Sequence, residues 1–470
     1  MPDADLRLQF EQANHGHVYR FFDELSEAEQ EKFEDQLRQI SLDEIKELTS
    51  QPEQVSGAVN LEGIEPASYR PLPESGGDPD DWAEATKTGE AALRAGRVAA
   101  FTVAGGQGTR LDWHKPKGTF PVTPIREASL FQVFAEKILA ASRRYEKPVP
   151  WFIMTSLINH EETIAHFDEH DFFGLDRKLV RFFSQGQMPA VDEEGRIMMA
   201  GKGEIAFNPD GHGGSLRALV RNDCTKMMRE LGVECVSYFQ VDNPLIRCVD
   251  PAFIGFHLRE KSELSCKACP KANAEEKVGV FVRDPDNNLG VIEYSELGKH
   301  AFDIDQTGSL KFRAGSIAIH IFSVDLIENL GFGQDSAKRL PFHRAHKKVT
   351  TIDAAGNPHK PTKANGIKFE MFVFDALKFA RNPVVIETAR QDDFSPVKNF
   401  EGVDSPATCR VDQLKQFASW AAAAGQQLPV DENGVPAAIE VSPLFACDEA
   451  EFVRKVREQG LELKPGMILT

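Results

Sequence analysis

The period of the apolar positions changes several times along this chain, and the changes mark its elements. Near the N-terminus Leu6, Phe10, Val18, Phe21 and Leu25 keep helical spacing, and Ser26-Glu-Ala-Glu29 and Ser41-Leu-Asp-Glu44 each read as a capping box that opens a further helix. From about Gln51 to Asp81 a mixture rich in Pro, Gly, Ser and Glu replaces that pattern, as an extended linker does. Beyond Trp82, short continuous apolar runs at 98–104, 150–155, 179–184 and 236–241 alternate with amphipathic segments at 130–145, 161–170 and 215–231. Such runs have no polar face and read as strands buried on both sides. Their alternation with helices predicts a doubly wound α/β sheet.

After about Lys277 the strands follow one another closely, at 278–282, 290–294 and 316–322, with the turn Asp284-Pro-Asp-Asn-Asn-Leu-Gly290 between the first two. This predicts an antiparallel insert. The stretch 365–380 reads as helix, 383–387 as strand, and the remainder, with a turn at Asp431-Glu-Asn-Gly434, as a small lobe. The expected organisation is a helical N-terminal unit and linker over 1–80, a central domain over 81–395 and a C-terminal lobe over 396–470.

Composition narrows the class. The chain has 470 residues, 41% hydrophobic and 27% charged, as in a soluble globular protein of two or three folding units. A formal charge of −18 argues against nucleic-acid and anionic-membrane partners, because counterion release needs basic surface. Any phosphate site is therefore a local positive pocket on an acidic body. The first residues lack a basic n-region and an apolar core, and no stretch approaches the roughly 18 apolar residues of a membrane span, so the expected address is cytoplasmic. Seven scattered cysteines fit buried reduced thiols. Cys266-Lys-Ala-Cys269 has no second pair to complete a zinc site, and His160 and His166, six apart, cannot share a helix face.

The candidate chemistry sits where strands end. The run Val98-Ala-Ala-Phe-Thr-Val103-Ala104-Gly105-Gly106-Gln107-Gly108-Thr109-Arg110 is a strand emptying into glycines and a cation, a form that lets backbone N–H groups approach an anion. It matches neither G-x-x-x-x-G-K-[ST] nor G-x-G-x-x-G, since Leu111 follows Arg110. Pro116 fixes the chain before Lys117 and Gly118, so that a second cation can reach back toward the glycine loop. Ser184-Gln185-Gly186 ends another strand, and Asn208-Pro-Asp-Gly211-His212-Gly-Gly214 leads into a helix; Gln185 offers the donor and acceptor that read a nucleobase edge. In Gln240-Val-Asp242-Asn243 an apolar strand ends in a carboxylate. An isolated Asp-Asn before Pro244 reads as a turn or cap, but beside two glycine loops Asp242 reads as a Mg²⁺ ligand. Glu293 and Tyr294 end an insert strand where sugar hydroxyls could be met, and Asn243 is a further candidate for the sugar. Lys368 and Lys398 lie in Asn365-Gly-Ile-Lys-Phe-Glu370 and Arg390-Gln-Asp-Asp-Phe-Ser-Pro-Val-Lys398-Asn399.

Taken in order, V-A-G-G-Q-G-T-R-L-x-x-x-x-P-K-G, Q-V-D-N-P-L-I-R-C-V-D-P-A-F-I-G-F, V-I-E-Y-S-E, N-G-I-K-F-E-M-F-V-F-D and R-Q-D-D-F-S-P-V-K-N resemble the UTP-dependent sugar-1-phosphate uridylyltransferases, in particular the eukaryotic-type UDP-N-acetylglucosamine pyrophosphorylases. The resemblance runs from about residue 15 to 450. It implies the Rossmann-like nucleotide-diphospho-sugar transferase fold, with Mg²⁺ as cofactor and UTP and a sugar-1-phosphate as partners. It implies that Ala104, Gly105 and Gly106 hold the nucleotide with Lys117 on the phosphates, that Gln185 and Gly211 contact uracil, and that Asp242 binds Mg²⁺ with the nucleotide phosphates. Lys368 would contact UTP, Glu293 the sugar hydroxyls, Phe372 and Phe374 the sugar pocket, and Lys398 the sugar phosphate.

Two positions depart from the acetylglucosamine pattern: His212 stands where those enzymes have Asn in G-N-G-G, and Ser316 where they have Asn in A-G-N-I-A. The Gly-His-Gly form is similar to UDP-glucose pyrophosphorylases. N-acetylglucosamine-1-phosphate is thus the leading acceptor, with glucose-1-phosphate or galactose-1-phosphate as alternatives and a non-catalytic UDP-sugar-binding protein as the reading of another class. The reaction expected is in-line attack of a sugar-1-phosphate oxygen on the α-phosphorus of UTP, with Arg110, Lys117 and Lys398 offsetting charge.

Overall fold

The computed structural model describes residues 3–50, 61–331 and 339–470. These divide into two compact units, one made of 3–50, 185–215 and 339–375 and a larger one of 61–184, 216–331 and 376–470. The units do not follow the boundaries expected from sequence near 80 and 395. Residues 51–60 of the expected linker lie outside the described residues.

The larger unit is built on one ten-stranded mixed sheet. At its centre Val98–Val103 runs parallel to Trp151–Thr155 on one side and to Cys235–Gln240 on the other, and Val180–Ser184 adds parallel to Trp151–Thr155. Every residue of Trp151–Thr155 is buried, and all but the last of Val98–Val103, as the unbroken apolar runs require of strands covered on both faces. Alternate residues serve the two sides. Val98 and Ala100 enter the core with Phe131, Phe134 and Ile138 of the helix Leu130–Arg144, while Phe101 packs on Phe183 and Tyr238. The helices Pro79–Arg94 and Pro251–Arg259 approach so closely that a Cβ on Gly89 would lie 1.8 Å from the Pro251 carbonyl oxygen.

The antiparallel insert is present but is not a separate sheet. Val280–Arg283 pairs with Leu289–Ile292 through the Asp284–Asn288 turn, and Ala314–Ser323 bridges this hairpin to Cys235–Gln240. Leu264–Pro270, a strand not anticipated from sequence, pairs with Ala314–Ser323 and runs parallel to Val384–Glu387. The segment 215–231 is two helices, Gly214–Arg221 and Cys224–Glu230, because Asp223 turns to φ 56 between them. The C-terminal lobe has its own apolar cluster around Phe417, Trp420, Ile439 and Phe452, and the Asp431–Gly434 turn forms as expected.

The smaller unit gathers the N-terminal helices Ala4–Gln12, Glu27–Arg38 and Leu42–Ser50 with short hairpins from the middle of the chain. Ser26 and Glu29 form the expected capping box. Phe10, Phe33, Leu37 and Ile45 share a core with Met188, Val191, Ile205, Ile367 and Phe369. The helix expected over 365–380 is instead a strand, Gly366–Met371, antiparallel to Phe342–Lys347, followed by a 3₁₀ turn at Val373–Lys378. Ile367, Phe369 and Met371 point inward while Lys368 and Glu370 stay half-exposed, a period of two that a helix cannot satisfy.

Candidate active site

In the larger unit the glycine loop leaves the carboxyl end of Val98–Val103, the edge where open α/β sheets bind ligands. The loop is held from beneath by Asn159, which is fully buried: its amide donates to the Ala104 carbonyl at 2.9 Å and the Gly106 carbonyl at 3.3 Å, while its oxygen accepts from Ser156. Gly106 is exposed, and a Cβ there would meet nothing within 4 Å, so the outer side of the loop is open. The chain then folds back through Trp113 and Pro116, and the Lys117 N–H donates to the Gly106 carbonyl at 3.1 Å. The backbone thus returns to the loop at Lys117. Gly118 has no alternative, since a Cβ would fall 2.1 Å from the Phe131 ring. Arg110 is exposed and has no ion-pair partner among the described residues.

Asp242 stands two residues beyond Cys235–Gln240, whose continuation is tied to the first strand by the Val241 N–H on the Val103 carbonyl at 3.1 Å. Two adjacent strand ends therefore bring Lys117 and Asp242 together, Nζ to Oδ2 at 3.0 Å with both side chains largely buried. The Asp242 carbonyl accepts the Val397 N–H at 2.8 Å, which sets Lys398 beside the pair in sequence. Lys398 is partly exposed, 3.6 Å from Asp404 and over the Phe394 ring. Lys117, Asp242 and the Lys398 segment thus share one end of the sheet.

Asn243, expected at the sugar, is engaged within the protein. It is buried, donates to the Asp393 carbonyl at 2.5 Å and accepts from the Ser395 N–H at 3.0 Å, so it fastens the 393–398 segment. Beneath lies a charged cluster that joins two of the motifs, through Asp250 and Asp393, to a lysine outside them: Lys267 Nζ is 2.6 Å from Asp393 and 2.7 Å from Asp250. Desolvation pushes the Asp393 carboxyl up, but Lys267 and Arg247 outweigh it and hold it at about 2. Lys137, half-buried, donates to the Pro244 and Ile246 carbonyls and fixes the chain just after Asp242. Asn159 had a sequence signal as a helix N-cap; Lys267 and Lys137 had none.

Glu293 and Ser316 come together around Gly279. The Ser316 N–H donates to the Gly279 carbonyl at 2.7 Å, and Glu293 Oε1 would lie 3.5 Å from a Cβ on Gly279. Burial, with Glu296 nearby, raises the Glu293 carboxyl. Tyr294 next to it is exposed.

In the smaller unit Gln185 Nε2 donates to the Gly211 carbonyl at 2.9 Å, and the 210–213 loop is sewn to Gly366–Met371 by Met371 N–H to Asp210 O and Gly213 N–H to Met371 O, both at 2.8 Å. Gly211 is needed there: its φ is 81, and a Cβ would approach the Met371 carbonyl oxygen to 2.4 Å. His212 Nδ1 accepts the Val373 N–H at 3.1 Å, and desolvation lowers its pKa to about 4, so the ring is neutral. Phe372 and Phe374 stack at 5.2 Å with His212 against both, and His343, bonded to Asp375, covers Phe372. Burial lowers Lys368, helped by Lys347.

A mixed sheet whose strand ends present an open glycine loop and a cation–carboxylate pair defines a nucleotidyltransferase, a class that works on phosphates by charge and position. The sequence profile of the family described as UTP–glucose-1-phosphate uridylyltransferase matches residues 49–403, and the chain belongs to that family. A UDP-N-acetylhexosamine pyrophosphorylase-like protein 1 of Xenopus tropicalis is 36% identical over 92% of this chain and 86% of its own length. The UDP-N-acetylglucosamine pyrophosphorylase of Saccharomyces cerevisiae is 34% identical over 90% and 92%. Among solved structures, the uridine diphosphate N-acetylglucosamine pyrophosphorylase of Trypanosoma brucei, in complex with an inhibitor, superposes with a TM-score of 0.84 at 28% identity, covering 100% of this chain and 98% of that one.

Proposed function

We propose that this nucleotidyltransferase moves the uridylyl group of UTP onto N-acetylglucosamine-1-phosphate, releasing pyrophosphate, and that it does so with Mg²⁺. The observation that carries the reading is the Lys117–Asp242 pair beside an open glycine loop, with the Lys398 segment hydrogen-bonded to the Asp242 backbone. The names of the Saccharomyces and Trypanosoma relatives support the choice of sugar.

Asp242 suits a hard cation. One carboxylate oxygen meets Lys117, the other enters no hydrogen bond among the described residues, and an acceptor-only group at a strand tip can share a cation with phosphate oxygens and water. When bound, Mg²⁺ would neutralise part of the triphosphate charge. The rest of the chemistry falls to the chain. The loop offers the nucleotide its backbone donors at Gly105 and Gly106, the Ala104 N–H being held by the Met154 carbonyl at 2.7 Å so that Ala104 shapes the loop's base; Lys117 and Arg110 offset the phosphates, and Lys398 holds the incoming sugar phosphate and steadies charge at the reacting phosphorus. No general base is needed, because the attacking phosphate is ionised at neutral pH. In the smaller unit, Gln185 and Gly211 would serve uracil, Lys368 UTP, and the flat face of Phe372 and Phe374 the sugar. The cytoplasm is the proposed address, on seven cysteines that are all unpaired.

A second reading keeps the reaction and changes the sugar to glucose-1-phosphate or galactose-1-phosphate; His212 and Ser316 favour it. Pyrophosphate release at fixed UTP and Mg²⁺ separates the two. Highest kcat/KM with N-acetylglucosamine-1-phosphate is the expected result, highest kcat/KM with a hexose-1-phosphate transfers the conclusion to the second reading, and no release with any of them refutes both.

A further inference from the structure

The last turn of the helix His160–Glu169 carries a cluster that uridylyl transfer does not use. His166, Glu169 and His170 stand at i, i+3 and i+4, so all three fall on one helix face. Each offers one ligand atom, and these atoms lie within 4.8 Å of one another. Among the described residues no other three His, Cys, Asp or Glu side chains meet in this way.

The two imidazoles are anchored through their other nitrogens. His170 Nδ1 is 2.8 Å from the His166 carbonyl, an acceptor that only an N–H satisfies, so Nδ1 carries the proton and Nε2 keeps its lone pair. His166 Nε2 lies 3.3 Å from Ser129 Oγ, which leaves Nδ1 as the ligating atom when Nε2–H donates to the hydroxyl. Anchoring the second nitrogen on a carbonyl or hydroxyl is what fixes tautomer and ring direction in metal-binding histidines. The rings are also held sideways: they lie 4.4 Å apart, and His170 stacks on Phe173 at 5.1 Å and 23°.

We propose that His166, Glu169 and His170 form a binding site for a divalent transition cation, with Zn²⁺ as the ion that fits, two imidazoles and one carboxylate leaving the fourth tetrahedral position to water. Ligands 2.0–2.1 Å from Zn²⁺ stand ~3.4 Å apart, so the site closes by turning the exposed Glu169 side chain inward, with small shifts of the two anchored imidazoles. A nitrogen-bearing tetrahedral set is wrong for Mg²⁺, which asks for six oxygens, so this site and Asp242 select different cations. Ser129, the second partner of His166, also accepts the Gln132 N–H as the N-cap of Leu130–Arg144, the helix whose Phe131 packs on Gly118. A cation on His166 thus steadies the end of one helix and, through Ser129, the start of the next.

The test is a Co²⁺ titration of the full chain, read by visible d–d absorption. Saturation at one tetrahedral Co²⁺ per chain, displaced by equimolar Zn²⁺ and not by millimolar Mg²⁺, is the expected result. His170→Ala and Glu169→Gln, both surface changes, raise the dissociation constant by about tenfold or more and leave Mg²⁺-supported turnover as it was. Uptake that is the same in His170→Ala, or absorption of the thiolate type from a cysteine-bound ion, overturns the proposal.

Discussion

Replacing Lys267 by Met tests whether the buried charges beneath the active site hold it together. The Lys267 side chain is 1% exposed, and its partners Asp393 and Asp250 are 0% and 9% exposed. Removing one member of such a pair strands the others and costs about 3–5 kcal/mol. The Arg247 N–H still reaches Asp393 at 2.8 Å, which favours the lower end, about 3 kcal/mol. The Asp393 carboxyl gives a second route to the size. It lies at about 2 against an ordinary 3.8, and at about 1.4 kcal/mol per pKa unit this is on the order of 2 kcal/mol. The sign follows: a depressed carboxylate contributes fully above its ordinary pKa near 4, and the contribution disappears as pH falls through about 2. In the variant the stranded carboxylate takes up a proton more readily, so the penalty is largest at neutral pH and shrinks on acidification. Urea unfolding of both proteins at neutral pH and near pH 4.5, followed by circular dichroism, measures it. A loss under about 1 kcal/mol at neutral pH, or one independent of pH, refutes the argument. Turnover falls as well, because the Asp393 carbonyl seats Asn243 and, with it, the segment that carries Lys398.

Lys398→Ala lowers kcat by about 10² or more, as for loss of one preorganised electrostatic group; an unchanged kcat in steady-state assays removes this residue from the chemistry. Asn159→Asp keeps shape but cannot donate to the Ala104 and Gly106 carbonyls. It raises the KM for UTP and costs about 1–3 kcal/mol of stability, and a variant with native KM and native unfolding midpoint would show that the loop needs no support from below. His212 and His257 are lowered to about 4 and about 3 by desolvation. The unfolded chain takes up their protons below its ordinary histidine pKa of ~6.5 while the folded chain does not, so each histidine removes about 1.4 kcal/mol per pH unit as pH falls below that value toward its own folded pKa. Urea midpoints between pH 7 and 5 follow this slope, and His212→Asn reduces it; a flat profile contradicts the burial argument.

The sequence by itself determined the elements and residues whose signal is local. Unbroken apolar runs meant strands covered on both faces, glycines after the first of them meant a loop with an open outer side, and Pro116 before Lys117 meant a chain turned back toward it. The structure keeps each of these, because their causes lie within a few residues of chain. Gly366–Met371 was also legible in principle, since Ile367, Phe369 and Met371 alternate with Lys368 and Glu370; what makes it a strand rather than a helix is its pairing with Phe342–Lys347. Only the tertiary structure decided which distant segments meet. It alone put Phe33 and Ile45 into one core with Val191 and Ile367, tied Asn243 to the 393–398 segment, and placed Lys267 between Asp250 and Asp393. Such contacts join residues far apart in sequence, and their energy comes from desolvation and charge pairing that exist only once the segments are packed. A lysine in the sequence carries no mark of whether it will be solvated or enclosed between two carboxylates.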